Sequence, residues 1–193
     1  FGEMALLAKA PRTASAMAKV NCKALSLGPK DFNSALAQTP EFALMMMAVM
    51  VQRLRQNIAR KGGVTMPTGE VERDAVFNQK ELDALALEIN PILAPSGKVI
   101  MNAGETGIFM YILQTGRVAI VMNGKVIEHV PTGGVFGEMA MVDNSSRAAS
   151  AIAESECTLL MIKRDDFINL VKAKPEFGAS ILRTIAERIR AMA

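Results

Sequence analysis

Several function classes are excluded by what the chain lacks. It has no tryptophan, one tyrosine, one histidine and two cysteines in 193 residues. Two cysteines, Cys22 and Cys157, cannot build a disulfide framework, and no signal peptide precedes them, so a reducing cytoplasmic setting is expected. His129 has no second histidine or paired cysteines beside it, which argues against a metal site. No nucleophile–histidine–acid set can be assembled, so neither catalytic residues nor enzyme activity are expected. No apolar run reaches the ~18 residues needed to cross a bilayer. The richest, residues 42–51, is followed by Gln52-Arg53 and reads as a buried helix. Charge of one sign is scarce as well, with a net charge of only +3 and no block of like charges. Direct nucleic-acid contact and a membrane span are therefore not expected within the chain. Arg53–Arg55 and Arg188–Arg190 read as solvated charge at helix ends. Gly133-Gly-Val-Phe-Gly137 lacks the strand-before, helix-after setting of a dinucleotide fingerprint.

What is present organises itself as a repeat. Phe1-Gly-Glu-Met-Ala5 returns as Phe136-Gly-Glu-Met-Ala140, an offset of 135. The same offset, without a gap, matches Arg12 with Arg147, Cys22 with Cys157, Asp31-Phe32 with Asp166-Phe167, and Pro40-Glu41-Phe42 with Pro175-Glu176-Phe177. It ends on Arg53 and Arg55 against Arg188 and Arg190. The period is too long for a solenoid, so a tandem domain duplication is expected. Phe1 opens the chain inside the repeated motif, which reads as a fragment or a chain whose earlier part is missing. Residues 1–61 would be the C-terminal part of a first domain, with cassette, two strands and two helices. Residues 62–78 would be a linker, and 79–193 a complete second domain.

The second copy shows its architecture by period. Asn78 to Ile89 has helical spacing, with Leu82, Leu85 and Leu87 among charges. Short strand-like runs follow at 92–94, 98–101, 109–113, 117–122, 125–130, 148–153 and 158–162. They are broken at Ser96-Gly97, Ala103-Gly104, Thr115-Gly116 and Asn123-Gly124. Asn-Gly between alternating strands signals a hairpin, because a type I′ turn needs positive φ twice. Asp165-Asp166 then opens a helix, and a longer one begins at Glu176 with Phe177, Ile181, Ile185 and Ile189 on one face. Strands followed by helices give an α+β class: an antiparallel β-sandwich or jelly-roll barrel with flanking helices.

The chemistry concentrates in 136–150. Gly137 permits a tight turn or a close ligand approach. Arg147, nine residues after Glu138, offers two donors that match two phosphate oxygens. A carboxylate beside a phosphate needs a different partner, and a sugar hydroxyl is suitable. Equally, Glu138 and Arg147 could form a structural ion pair on a loop. The residues leave both readings open.

Phe-Gly-Glu-Met-Ala-(Leu/Met) followed by Arg-(Thr/Ala)-Ala-Ser is similar to the phosphate-binding cassette of the cyclic-nucleotide-binding domain family. That family spans catabolite-activator, kinase-regulatory-subunit and nucleotide-gated-channel types. Gly97, Gly104-Glu105-Thr-Gly107, Tyr111-Ile-Leu and Gly116-Arg-Val-Ala-Ile fit the same family, with Glu105 where it usually has Asp. The resemblance implies that Glu138 accepts the ribose 2′-hydroxyl and that Arg147 clamps the cyclic phosphate. Phe136, Gly137, Met139, Ala140, Ala148 and Ala149 would complete that site. In the first copy the counterparts are Gly2, Glu3, Met4, Ala5, Arg12, Thr13 and Ala14. Thr13 offers a hydroxyl to a guanine amino group and Ala148 does not, so the second site is expected to prefer cAMP and the first to tolerate cGMP better. The resemblance also places Arg188, on the last helix, over the base; its alternative is a solvated helical arginine.

The expected function is a sensor that couples cAMP, or cGMP, to movement of the C-terminal helix, with no other cofactor. A homo-oligomer, or an effector domain or protein, would receive the signal. The alternatives are the sensor part of a transcription regulator or the cytoplasmic gate of a channel or transporter.

Overall fold

The computed structural model describes residues 1–12, 14–60 and 71–191. Three helices come first: α1 (Glu3–Leu7), α2 (Pro29–Gln38) and α3 (Glu41–Arg60). A short strand, β1 (Val71–Glu72), precedes α4 (Gln79–Ala86). The strands β2 (Pro91–Ala94), β3 (Val99–Met101), β4 (Phe109–Thr115), β5 (Val118–Met122), β6 (Lys125–Val130) and β7 (Val135–Phe136) follow. Then come α5 (Glu138–Asp143), β8 (Ser150–Ala153), β9 (Cys157–Lys163), α6 (Arg164–Ala173) and α7 (Pro175–Ala191).

The strands form two sheets, in the orders β1-β6-β5-β8-β3 and β2-β9-β4-β7. Every pair is antiparallel except β1 with β6. The β-sandwich with helices is the expected α+β fold. Hairpin geometry follows from the turn residues: Asn123 and Gly124, between β5 and β6, both take positive φ, 52° and 75°.

The run Phe109–Leu113 is apolar throughout because β4 is covered on both faces. Tyr111 and Leu113 point into the sandwich core with Phe136 and Leu159. Met110 and Ile112 point the other way, into a second core shared with the helices. That second core contains Met47 and Met50 of α3 and Phe177, Ile181 and Ile185 of α7.

The helical layer repeats itself at the offset seen in the sequence. α2 and α6 begin and end 135 residues apart, at Pro29/Arg164 and Gln38/Ala173. Their starts are capped alike: Asp31 accepts from the Gly28 N–H at 3.0 Å, and Asp166 from the Lys163 N–H at 3.2 Å. Phe32 meets Phe42 with ring centroids 5.7 Å apart, and Phe167 meets Phe177 at 5.6 Å. α3 runs against α7, and α1 touches α7 much as α5 touches α3. Ala43 and Gly178, equivalent positions, face each other where α3 and α7 approach.

Two expectations are corrected. Residues 14–28 form no strand and stay largely exposed, although they match β8 and β9 in sequence. β8 is held by β3 and β5, and β9 by β2 and β4; the described residues before 14 include no strand that supplies such partners. A strand left without a ladder has unpaired backbone groups, so apolar residues such as Met17 and Leu25 cannot be buried in a sheet. The expected linker is also shorter. Its residues 62–70 lie outside the described ones, but 71–78 are built into the fold. β1 pairs with β6, and the N–H groups of Val76 and Phe77 donate to the Gly133 carbonyl. Phe77 stacks on Phe177 at 5.4 Å. Among the described residues no single helix is long and apolar enough to cross a membrane.

Candidate functional site

Between the outer sheet, the cassette and α7 lies a cavity of about 430 Å³. All nine residues expected at the second cassette line it, from Phe136 to Ala149 together with Arg188. Phe136 ends β7 and is fully buried, stacked on Tyr111 at 5.2 Å. Gly137 turns the chain at φ +78°, a conformation that disfavours any residue with a Cβ, and a Cβ there would lie 2.8 Å from Arg147 Nη1.

Glu138 and Arg147 do not pair with each other, so the loop ion pair left open by the sequence is not formed. Arg147 is buried beneath the turn and donates from Nη1 to the Gly137 carbonyl at 2.5 Å and from Nη2 to the Phe109 carbonyl at 2.7 Å. Its guanidinium also lies over the Tyr111 ring, 5.8 Å from the centroid. Burial lowers the Arg147 pKa from its ordinary value, partly offset by Tyr111, Glu138 and Glu105. Burial likewise raises that of Tyr111. Gly107 packs against the same guanidinium so closely that a Cβ would sit 2.3 Å from Cζ and Nε.

Glu138 is 1% exposed. One oxygen, Oε1, accepts from Arg188 Nη1. The other, Oε2, is buried and has no hydrogen-bond partner among the described residues. Arg188 is therefore not a solvated helical arginine. It belongs to a buried network in which Glu128 accepts from Arg188 Nη2 at 3.3 Å and from Arg73 Nη2, while Arg73 Nη1 donates to the Val135 carbonyl at 2.5 Å. Burial alone would raise the Glu128 carboxyl, yet Arg188 and Arg73 hold it down at about 2. Arg188 is pushed up by Glu138 and Glu128 against desolvation, whereas burial and the neighbouring Arg188 lower Arg73.

The first cassette repeats half of this geometry. Gly2 takes φ +86°, and Glu3 is buried and accepts from Arg53, the counterpart of Arg188. Arg12 lies against Gly2 but is exposed, where Arg147 is buried. Gly2, Glu3, Met4, Ala5, Arg12 and Ala14 do not line the cavity, and Thr13 lies outside the described residues. Arg53, Arg55, Arg188 and Arg190 are all bonded to protein groups rather than simply solvated: Arg53 and Arg188 to the glutamate of their own cassette, Arg55 and Arg190 to the cassette of the other copy.

Sequence reasoning missed Arg73 and Glu128, as well as Leu54 and Ile58 of α3, which reach the cavity wall. Glu128 carried a weak signal: an acid within a mostly apolar strand. The α3 residues had none beyond the repeat. Among the described residues no group of three or more His, Cys, Asp or Glu could hold a metal ion.

A sandwich that gathers a buried arginine, a glycine turn and an unbonded carboxylate oxygen around one cavity is built as a small-molecule binding module. Residues 92–174 match the family model of the cyclic nucleotide-binding domain, and the chain carries such a domain. The chain is similar to a cyclic nucleotide-gated potassium channel of Rhizobium etli, 34% identical over 100 residues, 52% of this chain and 28% of that protein. It is similar to a cAMP-dependent protein kinase regulatory subunit of Aspergillus niger, 29% identical over 173 residues, 89% of this chain and 38% of that protein. The solved catabolite activator protein of Thermus thermophilus shares its fold with a TM-score of 0.51 at 30% identity, covering 57% of this chain and 55% of that one. The chain thus spans 28% and 38% of the lengths of these two curated relatives. The family is one of regulatory sensors whose ligands are cyclic nucleotides.

Proposed function

We propose that the chain senses cAMP at one complete site on residues 79–193 and reports occupancy through α7. The observation that carries this reading is Glu138 Oε2, a fully buried carboxylate oxygen without a partner among the described residues, on the wall of a cavity that also holds Arg147. Leaving such an acceptor unbonded is costly, and a ribose 2′-hydroxyl is a donor that would satisfy it. Arg147 meets only two neutral carbonyls, and a cyclic phosphate is a stronger, charged acceptor for the same two donors. Backbone N–H groups of Gly137, Met139, Ala140 and Ala149, residues that line the same cavity, would complete the phosphate pocket. Ala148 offers no hydroxyl to a guanine amino group, which favours cAMP by roughly 1 kcal/mol.

The ribose hydroxyl and Arg188 share one carboxylate, so ligand binding acts directly on the helix that carries Arg188. Differential binding of this kind shifts a conformational equilibrium, typically by ~1–3 kcal/mol. An effector domain or protein, or a second copy, receives that shift. Residues 1–61 are read as the C-terminal part of a first domain of a tandem pair, with Glu3 and Arg12 and, among the described residues, no strand. Support comes from the repeated helices, the repeated Glu–Arg pair and the exposure of Arg12.

Isothermal titration with cAMP and with cGMP tests the reading. cAMP should bind about fivefold more tightly than cGMP, and Arg147→Ala should abolish binding of both. No binding by the unaltered chain, or a clear cGMP preference, would overturn it.

A further inference from the structure

The match to the cyclic nucleotide-binding domain begins at residue 92, yet the cavity is partly walled by α3, through Leu54 and Ile58. Between these two, Arg55 reaches the cassette itself. Its Nε donates to Asp143 Oδ2 at 2.6 Å and its Nη2 to Asp143 Oδ1 at 3.2 Å, a two-pronged pair. The same Nη2 approaches the Ser146 carbonyl at 3.3 Å. Asp143 in turn accepts from the N–H and the hydroxyl of Ser145, at 3.1 and 2.6 Å. Asp143 ends α5 and Ser146 directly precedes Arg147, so Arg55 grips both ends of the turn that joins Glu138's helix to the arginine.

Arg147 is held from the other side by the 104–106 turn. Its N–H donates to the Glu105 carbonyl at 2.8 Å, its own carbonyl accepts from the Gly104 N–H at 2.9 Å, and Ser146 bridges to Thr106. With Arg55 removed, this turn keeps the anchor on the 104–106 side, its internal Asp143–Ser145 bonds and the Arg164 bond to the Val142 carbonyl, but loses its tie to α3. The contact has a mirror image in the repeat. Arg190 donates to the Pro11 carbonyl at 3.0 Å, and Pro11 stands where Ser146 stands in the second cassette. The carboxylate is not mirrored, because Ala8 occupies the place of Asp143. Hydrogen bonds from Arg55 and Ser145 keep the Asp143 carboxyl below its ordinary value although burial opposes this. A scaffold contact common to both cassettes has thus gained a charged pair at the one cassette that closes a cavity.

We propose that Arg55 is a positioning residue of the nucleotide site: by holding the Asp143–Ser146 turn it sets Arg147 for the phosphate, and it makes α3 a working part of that site. The proposal rests on the reading of the site as a cyclic-nucleotide pocket. It also assigns segment 1–60 a control function: any displacement of α3 loosens the turn.

Two measurements on the full chain test it, with Arg55→Ala, Arg55→Lys and the reversed pair Arg55→Asp/Asp143→Arg, each first checked by thermal unfolding. In titrations with cAMP, Arg55→Ala should weaken binding at least about fivefold, the low end of ordinary coupling between sites. Arg55→Lys should fall between, and the reversed pair should recover part of the loss. Without nucleotide, hydrogen exchange at the amides of 143–147 should quicken in Arg55→Ala and slow again in the reversed pair. Unchanged exchange in a folded Arg55→Ala overturns the clamp, and unchanged affinity with quickened exchange overturns its role in binding. If the unaltered chain binds no cyclic nucleotide, the cAMP reading and the positioning role fall together, and the exchange result still decides whether the clamp exists.

Discussion

Replacing Glu128 by glutamine probes the buried network that holds Arg188 beside Glu138. Glu128 faces two guanidiniums, Arg73 and Arg188, and its side chain is 12% exposed. Glutamine keeps the shape and one acceptor but removes the charge, leaving two cations with Glu138 as the only carboxylate in the network. The carboxyl is held at about 2 against an ordinary 4.5. Converted at ~1.4 kcal/mol per tenfold, that difference is worth roughly 3 kcal/mol of stability near pH 7. Removing one partner of a buried ion pair costs about 3–5 kcal/mol by mutational experience, which agrees at its lower end. The pH dependence is the sharper part. The folded value lies below the unfolded one, so the contribution is complete above about pH 4.5 and disappears as pH falls through about 2. Near pH 3 less than half of that contribution should remain. Urea unfolding of both proteins at the two pH values measures it. A loss below ~1 kcal/mol near neutrality, or an equal loss at both pH values, would refute the reasoning.

Two glycines give further outcomes. In Gly107→Ala the new Cβ would lie 2.3 Å from Arg147 Cζ and 2.8 Å from Ala140 Cβ. The guanidinium must move, so cAMP binding should be lost in titration while stability falls by roughly 1–3 kcal/mol. Gly178→Val places a Cβ 2.9 Å from Val171 Cγ2 of α6 and 3.5 Å from Ala43 Cβ of α3, where α7 packs on both helices. It should lower the thermal midpoint by an amount equivalent to roughly 1–3 kcal/mol. An unchanged midpoint would mean that α7 is not held this close to α6.

The sequence by itself determined the sandwich and pointed to nine residues that line the cavity, but not to Arg73, Glu128, Leu54 or Ile58. Alternating strands and Asn-Gly or Gly turns are local signals, and the repeated Phe-Gly-Glu-Met-Ala motif marked Glu138 and Arg147 without any structure. Those properties lie within a few residues of each other along the chain, where period and turn chemistry act. Partner choice does not. Glu138 bonds Arg188, fifty positions away, and Arg147 bonds two backbone carbonyls rather than Glu138. Arg55, read as solvated charge, lies across the interface on Asp143, eighty-eight positions away. The segment 14–28 carries a strand pattern and forms no strand, because a ladder needs partners that local pattern cannot provide. Burial and charge pairing are properties of the assembled core, so which carboxylate answers which guanidinium was decided only when α3 and α7 packed together over the cassette.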